Sequence, residues 1–270
     1  MANTNLVIVD LDDTLWRWCD TWRAGYTEFN NVLANYGVPE NQAIDAWAQM
    51  YLRVKGAVIE FPPMPGDMAE VGVPTSIAVQ AYQDALPASR KARDEALIVF
   101  PTVVDTLKEL ADSGITVVAH TDSPATAAAH RLHTSGMDGS VSELYAAPRF
   151  DDFGDSLDLV DTKHTHVRGW KPKPNTTVIE AILQAHKVDP SHAAYVGDSL
   201  RRDMSMARNA GLNPVWARYG SDYEVRTEVI QILHKVQRHV PFPAEDYAAT
   251  PTDTEYATLE QFSDLLDIVR

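Results

Sequence analysis

Leu6-Val7-Ile8-Val9-Asp10-Leu11-Asp12-Asp13-Thr14 is an unbroken apolar run that ends in two carboxylates separated by one residue. A continuous Val/Ile/Leu run is how a strand buried on both faces reads, as in a parallel sheet covered by helices. Reactive groups of open α/β sheets collect outside the carboxyl ends of the strands, so Asp10 and Asp12 stand where chemistry is expected. One carboxylate can attack phosphorus as a covalent nucleophile while the other moves protons. A hard cation such as Mg²⁺ suits the same oxygen-rich setting.

Three later segments extend the pattern. Gly114-Ile115-Thr116-Val117-Val118-Ala119-His120-Thr121-Asp122-Ser123 reads as a second buried strand ending in a hydroxyl residue. In Lys171-Pro172-Lys173-Pro174 proline fixes the backbone just ahead of a helical stretch from Asn175 to His186. Ala193-Ala194-Tyr195-Val196-Gly197-Asp198 is a further strand, followed by a second carboxylate at Asp203.

In this order and context the segments resemble the four motifs of the haloacid dehalogenase-like hydrolase superfamily, over roughly residues 5 to 220. The resemblance implies Asp10 as nucleophile, Asp12 as general acid/base, and Thr121, Asp122 and Lys171 as phosphate-binding residues. It implies Asp198 as a Mg²⁺ ligand with Asp10 and the backbone carbonyl of Asp12, and Asp203 as a further acidic site residue. Lys173 is a rival to Lys171, since both precede a proline; Lys171 is preferred for its place at the head of the repeat. Asp122 stands where relatives often carry Asn. Relatives that cleave carbon–halogen bonds lack an acid two residues after the nucleophile, so Asp12 favours a phosphatase or phosphotransferase.

The chain has 270 residues, 45% of them hydrophobic, enough for a core carrying an inserted module. Twenty-three basic against thirty-eight acidic residues leave a net charge of −15, which argues against a nucleic acid polymer as partner. No stretch approaches the ~18 apolar residues of a membrane span, and the first strand begins too early for a secretory signal, so a cytoplasmic location is expected. The single cysteine, Cys19, fits a reducing compartment.

About a hundred residues separate the first two strands, far more than an ordinary connection. Helix signals there predict a helical cap at residues 17–99, with helices at Asp20–Tyr36, Glu40–Lys55, Pro74–Leu86 and Arg90–Leu97 and a loop from Phe61 to Gly66. Residues 1–16 and 100–270 are then the α/β core, with a third strand at Leu144–Ala147, a fifth and last at Pro214–Ala217 and a long helix near Asp222–His239. The resemblance implies a Rossmann-like three-layer core with a parallel sheet of order 5-4-1-2-3. The cap resembles that of phosphoglycolate phosphatase-like and β-phosphoglucomutase-like members.

Trp16, Trp18 and Trp22 read as packing residues rather than a substrate mouth. Arg17, Arg23, Arg53 and Lys55 are cations available for a second acidic group of a substrate, though most such side chains are simply solvated. His164-x-His166 lacks a third ligand in sequence and reads as a loop without metal. The acidic run from Asp151 to Asp161 reads as a solvated face. The sequence thus predicts a Mg²⁺-dependent phosphomonoesterase for a small phosphorylated metabolite, acting through an aspartyl-phosphate as a monomer or homodimer. A phosphotransferase or mutase, or a non-catalytic phosphate-binding protein, is the alternative.

Overall fold

The computed structural model describes residues 4–53, 61–147, 172–236 and 256–269, and the backbone of 165–167. In chain order its main elements begin with β1 (Leu6–Val9), α1 (Trp18–Asn35), α2 (Glu40–Arg53), α3 (Pro65–Glu70), α4 (Thr75–Glu95) and α5 (Val103–Asp112). Then come β2 (Thr116–Pro124), α6 (Ala125–Thr134), β3 (Glu143–Ala147), β4 (Thr165–Val167), α7 (Thr177–His186) and β5 (Ala193–Gly197). The last are α8 (Ser205–Asn209), β6 (Asn213–Ala217), α9 (Glu224–Val236), β7 (Ala257–Leu259) and α10 (Leu265–Val269). These residues form two compact units, divided between Arg17 and Trp18, between Ile98 and Val99, and again between Asp222 and Tyr223.

The α/β unit is built on one parallel sheet of order β4-β3-β2-β1-β5-β6-β7. Its five middle strands follow the expected 5-4-1-2-3 order. The outer β4 and β7 lengthen both edges; each is three residues long, too short to leave a period in the sequence. Alternate residues of each strand face opposite sides. Leu6, Ile8, Val118, Tyr145 and Tyr195 bury one face against Val178, Ile179, Ile182 and Leu183 of α7 and Met206 and Ala207 of α8. Val7, Val9, Val117 and Ala119 are buried on the other face, the alternate residues of the same strands, while α5 and α6 pack along β2.

The helical unit has its own core. On α1 the residues Trp22, Phe29 and Leu33 recur at helical spacing and are buried with Ala46, Trp47 and Met50 of α2 and Ala78, Ala81 and Ala85 of α4. Trp22 stacks on Tyr26 at 5.1 Å and meets Trp47 edge-on at 5.9 Å, which accounts for it as a packing residue. Two of the cations singled out in the sequence are already paired here: Arg23 with Glu228 at 2.6 Å and Arg53 with Asp67 at 2.9 Å. Lys55 lies outside the described residues.

Three features differ from the local sequence reading. Residues 100–270 do not all belong to the α/β unit: Val229, Leu233 and Val236 form an apolar stripe on α9 that is buried in the helical unit's core. Nor does Pro87 end a helix; α4 runs through it from Thr75 to Glu95. Packing on α1 overrides the local break, since buried Ser89, just past the proline, donates to the Gly25 carbonyl at 2.9 Å. A Cβ on Gly25 would come within 2.5 Å of the Arg93 side chain, so the close approach of the two helices requires glycine there. A short helix, α3, also begins inside the expected 61–66 loop. No helix among the described residues is long and apolar enough to cross a membrane.

Pro87 is exposed and removes one hydrogen bond from the middle of a long helix. Pro87→Ala is expected to raise stability by about 1–3 kcal/mol, the helix gain of roughly 3 less the lost restriction of the unfolded chain. Urea denaturation of the two proteins checks it; an unchanged or lower midpoint would show that the helix has adapted to the proline.

Candidate active site

Parallel pairing in register brings three motifs to one edge. Val9 is opposite Ala119 on β2 and Val196 on β5, so Asp10, one residue on, and Thr121 and Asp198, two residues on, come to the same end of the sheet. The Asp10 backbone N–H still donates to the Val196 carbonyl at 2.8 Å, which fixes the level at which its side chain emerges. The chain then turns tightly: Leu15 N–H donates to the Leu11 carbonyl, and Asp13 takes a positive φ of 58°. Gly220 packs onto this turn so closely that a Cβ would lie 1.7 Å from the Asp13 carbonyl oxygen.

Asp10, Asp198 and Asp203 are all buried, and their carboxylates bring oxygens within 4.8 Å of one another. Lys173, itself buried, lies among them, with Nζ 2.5 Å from Asp10 Oδ1 and 2.9 Å from Asp203 Oδ1. Burial pushes the Asp10 carboxyl up and Asp203 and Asp198 add to it, against the downward pull of Lys173. Burial also opposes the charge on Lys173, yet Asp10 and Asp203 hold its ammonium well above the usual lysine range. The donors that these three side chains offer are all carboxylate oxygens. A divalent hard cation fits that donor set.

Asp203 is placed by two neighbours. Its Oδ2 accepts the Ser199 N–H at 3.0 Å, and its side chain fills the space over Gly197, where a Cβ would sit 2.5 Å from the carboxyl group. Asp198 is held through its backbone, whose carbonyl accepts from Trp216 Nε1 at 2.9 Å.

Asp12 contributes no carboxylate to this cluster. Its Oδ1 accepts from Trp16 Nε1 at 2.8 Å and Arg131 Nη1 at 2.9 Å; its Oδ2 accepts from Ser123 Oγ at 2.5 Å and faces Thr121 Oγ1 at 3.4 Å. Trp16 is thus a buried anchor for Asp12. Asp122 accepts the Lys173 backbone N–H at 3.2 and 3.3 Å and pairs with Arg202. Its carboxylate therefore faces Arg202 and steadies the lysine loop.

Lys171 lies outside the described residues, as do His164 and the acidic run from Asp151 to Asp161. The ammonium that meets Asp10 belongs to Lys173, the second lysine of the repeat. Spacing could not separate the two, because both precede proline. Arg131 and Ser123 escaped the sequence reading. The available signal was an arginine on the apolar face of α6, beside Ala128, Ala129 and Leu132. Below the cluster, buried His120 shares a hydrogen bond with the Tyr195 hydroxyl at 3.1 Å, and the Lys173 ammonium lies over the Tyr195 ring at 5.5 Å. Burial, helped by Lys173, lowers the His120 imidazole to about 3.

A family model described as haloacid dehalogenase-like hydrolase matches residues 4–211. A phosphoglycolate phosphatase of Vibrio vulnificus is 25% identical over 125 residues, 46% of this chain and 46% of its own. A glyceraldehyde 3-phosphate phosphatase of Pyrococcus furiosus is 33% identical over 78 residues, 24% of this chain and 32% of its own. The chain thus spans less than half the length of these curated relatives. Among solved structures, a 2-haloacid dehalogenase of Pseudomonas syringae shares the fold with a TM-score of 0.63 at 19% identity, covering 98% of both chains.

Two outcomes follow from this geometry. Gly197→Ala is expected to cost about 1–3 kcal/mol and to displace Asp203, as overpacking of a filled site does; chemical denaturation and a crystal structure of the variant check both parts. His120 is neutral in the fold with a value near 3, against 6.5 in an open chain, so folding favours its deprotonated form. Its contribution is fully present above about pH 6.5 and is lost as pH falls towards 3, because the unfolded chain takes up the proton first. His120→Gln should flatten the acid limb of stability against pH by up to roughly 1.4 kcal/mol per pH unit in that window. Parallel acid limbs for the two proteins would refute it.

Proposed function

The chain belongs to the haloacid dehalogenase-like hydrolase family, and on that footing we propose that it is a Mg²⁺-dependent phosphomonoesterase for a small phosphorylated metabolite. The observation that carries the reading is the buried Asp10 carboxylate at the end of β1, touching Lys173 and clustered with Asp198 and Asp203. The names of the two curated relatives support a phosphate ester as substrate.

In this reading Asp10 attacks the phosphorus in line. An Asp10–phosphorus bond forms, the ester bond to the leaving oxygen breaks, and Asp12 gives that oxygen its proton. Asp12 then takes a proton from the water that cleaves the aspartyl-phosphate and returns Asp10 as a free carboxylate. Lys173 meets the charge of the equatorial oxygens, with the Thr121 hydroxyl as their neutral partner. Asp122 acts through Lys173 by holding its backbone. Asp10, Asp198, Asp203 and the Asp12 backbone carbonyl are the groups that would hold Mg²⁺, which when bound screens the charge of the phosphoryl group.

The test is phosphate release from p-nitrophenyl phosphate and a panel of phosphorylated metabolites, with and without Mg²⁺, for wild type beside Asp10→Asn. Magnesium-dependent release is expected, falling by on the order of 10³-fold or more in the variant, as loss of a covalent nucleophile does. Chelation of the metal should reduce turnover in the wild type to a similar floor. Equal release by wild type and variant, or none from any ester, would overturn the reading.

A further inference from the structure

We propose that Arg131 is a positioning residue for proton transfer: with Trp16 it anchors one oxygen of Asp12, Oδ1, so that the other, Oδ2, carries the proton. The inference rests on the hydrolase reading above and goes further by dividing the work between the two oxygens of one carboxylate.

The asymmetry of the contacts carries it. Oδ1 receives two rigid donors, the Trp16 indole N–H at 2.8 Å and the Arg131 guanidinium at 2.9 Å. Neither can accept a proton or a hydrogen bond in return, because indole and guanidinium are donors only. Among the described residues Oδ2 meets only hydroxyls, Ser123 Oγ at 2.5 Å and Thr121 Oγ1 at 3.4 Å. A hydroxyl can turn from donor to acceptor, so Oδ2 can exist with or without its proton while its neighbours stay satisfied. Thr121 is also the hydroxyl that faces the phosphoryl group in the proposed reaction, which sets Oδ2 on the reacting side.

The anchor is itself fixed. Arg131 rises from the buried face of α6, with its side chain only 8% exposed, and its guanidinium carbon lies 6.0 Å from the centre of the Trp16 ring. A charged side chain so enclosed must be paired to be tolerated, and Asp12 is an acid that pairs with it. Trp16 is fully buried and leaves the chain four residues after Asp12, so both donors to Oδ1 come from packed elements of the α/β unit. Proton transfer to a departing oxygen demands this kind of constraint, since misplacement of a catalytic group by about 1 Å can cost roughly 10²-fold in rate.

The test uses leaving groups. The phenolate of p-nitrophenyl phosphate departs without a proton, whereas the alkoxide of glycerol 2-phosphate needs one. Steady-state kinetics of wild type, Arg131→Gln, Arg131→Lys and Asp12→Asn are measured on both esters with Mg²⁺. Arg131→Gln is expected to lower kcat/KM for glycerol 2-phosphate by about 10²-fold with KM little changed, and that for p-nitrophenyl phosphate by less than about 10-fold. Arg131→Lys, which keeps one charged donor, should recover part of the loss, and Asp12→Asn should show the same dependence on leaving group more strongly. Should Arg131→Gln fail to fold by circular dichroism, Trp16→Phe removes the other Oδ1 donor and is expected to give the same pattern. Equal losses on the two esters, or a rise in KM alone, would overturn the proposal while leaving the hydrolase reading intact. A wild type inert on both esters would overturn the two together.

Discussion

The Lys173 ammonium, enclosed with Asp10 and Asp203, is the contact on which the arrangement of the site depends. A buried carboxylate without a partner is penalised so heavily that it ordinarily takes up a proton instead. Here three buried carboxylates stand together, and one ammonium touches two of them. Removing one partner of such a pair typically costs 3–5 kcal/mol, because the remaining charge is stranded. The lysine therefore ties the segment ahead of α7 to the end of β1 and to the turn after β5, and Asp122 secures the same segment by accepting the lysine's backbone N–H. The site is held by charge more than by apolar contact.

Close packing of backbone sets where those charges lie. Gly197 leaves room for the Asp203 carboxylate, and Gly220 lets the chain after β6 rest directly on the turn that carries Asp13. Parallel pairing then decides which residues share an edge, since a slip of one residue between β1 and β5 would turn Asp10 or Asp198 to the other face of the sheet. Apolar layers on both faces of the sheet hold that register.

How much of this was legible in the sequence depends on the range of each interaction. Leu6–Val9 and Ala193–Gly197 are continuous apolar runs that end in acids, so their strands and the carboxylates behind them follow from local pattern alone. The α1 and α2 helices announce themselves by spacing and run to Asn35 and Arg53. What depends on distant partners is not written locally. Pro87 reads as a stop but lies inside α4, because the next turn is held to Gly25 from another helix. The stripe on α9 shows that the helix has an apolar face without saying which core receives it. Lys171 and Lys173 look alike in sequence, and only the folded chain sets an ammonium against Asp10. Arg131 is more than a hundred residues from Asp12, so no spacing could have joined them.

Charge counting joins these pieces. Among the described residues, Asp10, Asp12, Asp122 and Asp203 meet the cations Lys173, Arg131 and Arg202. Arg131 pairs with Asp12 and Arg202 with Asp122, so each of these carboxylates outside the central cluster has a cation against it. The central cluster gathers Asp10, Asp198 and Asp203 about the Lys173 ammonium. A divalent cation would offset carboxylate charge there, easing the approach of an anionic ester to a site built from acids on a chain that carries −15 overall. The arginines thus serve electrostatics as well as position: each sets a fixed positive charge against an acid beside Thr121, Asp12 within 3.4 Å of its hydroxyl and Asp122 next to it in the chain.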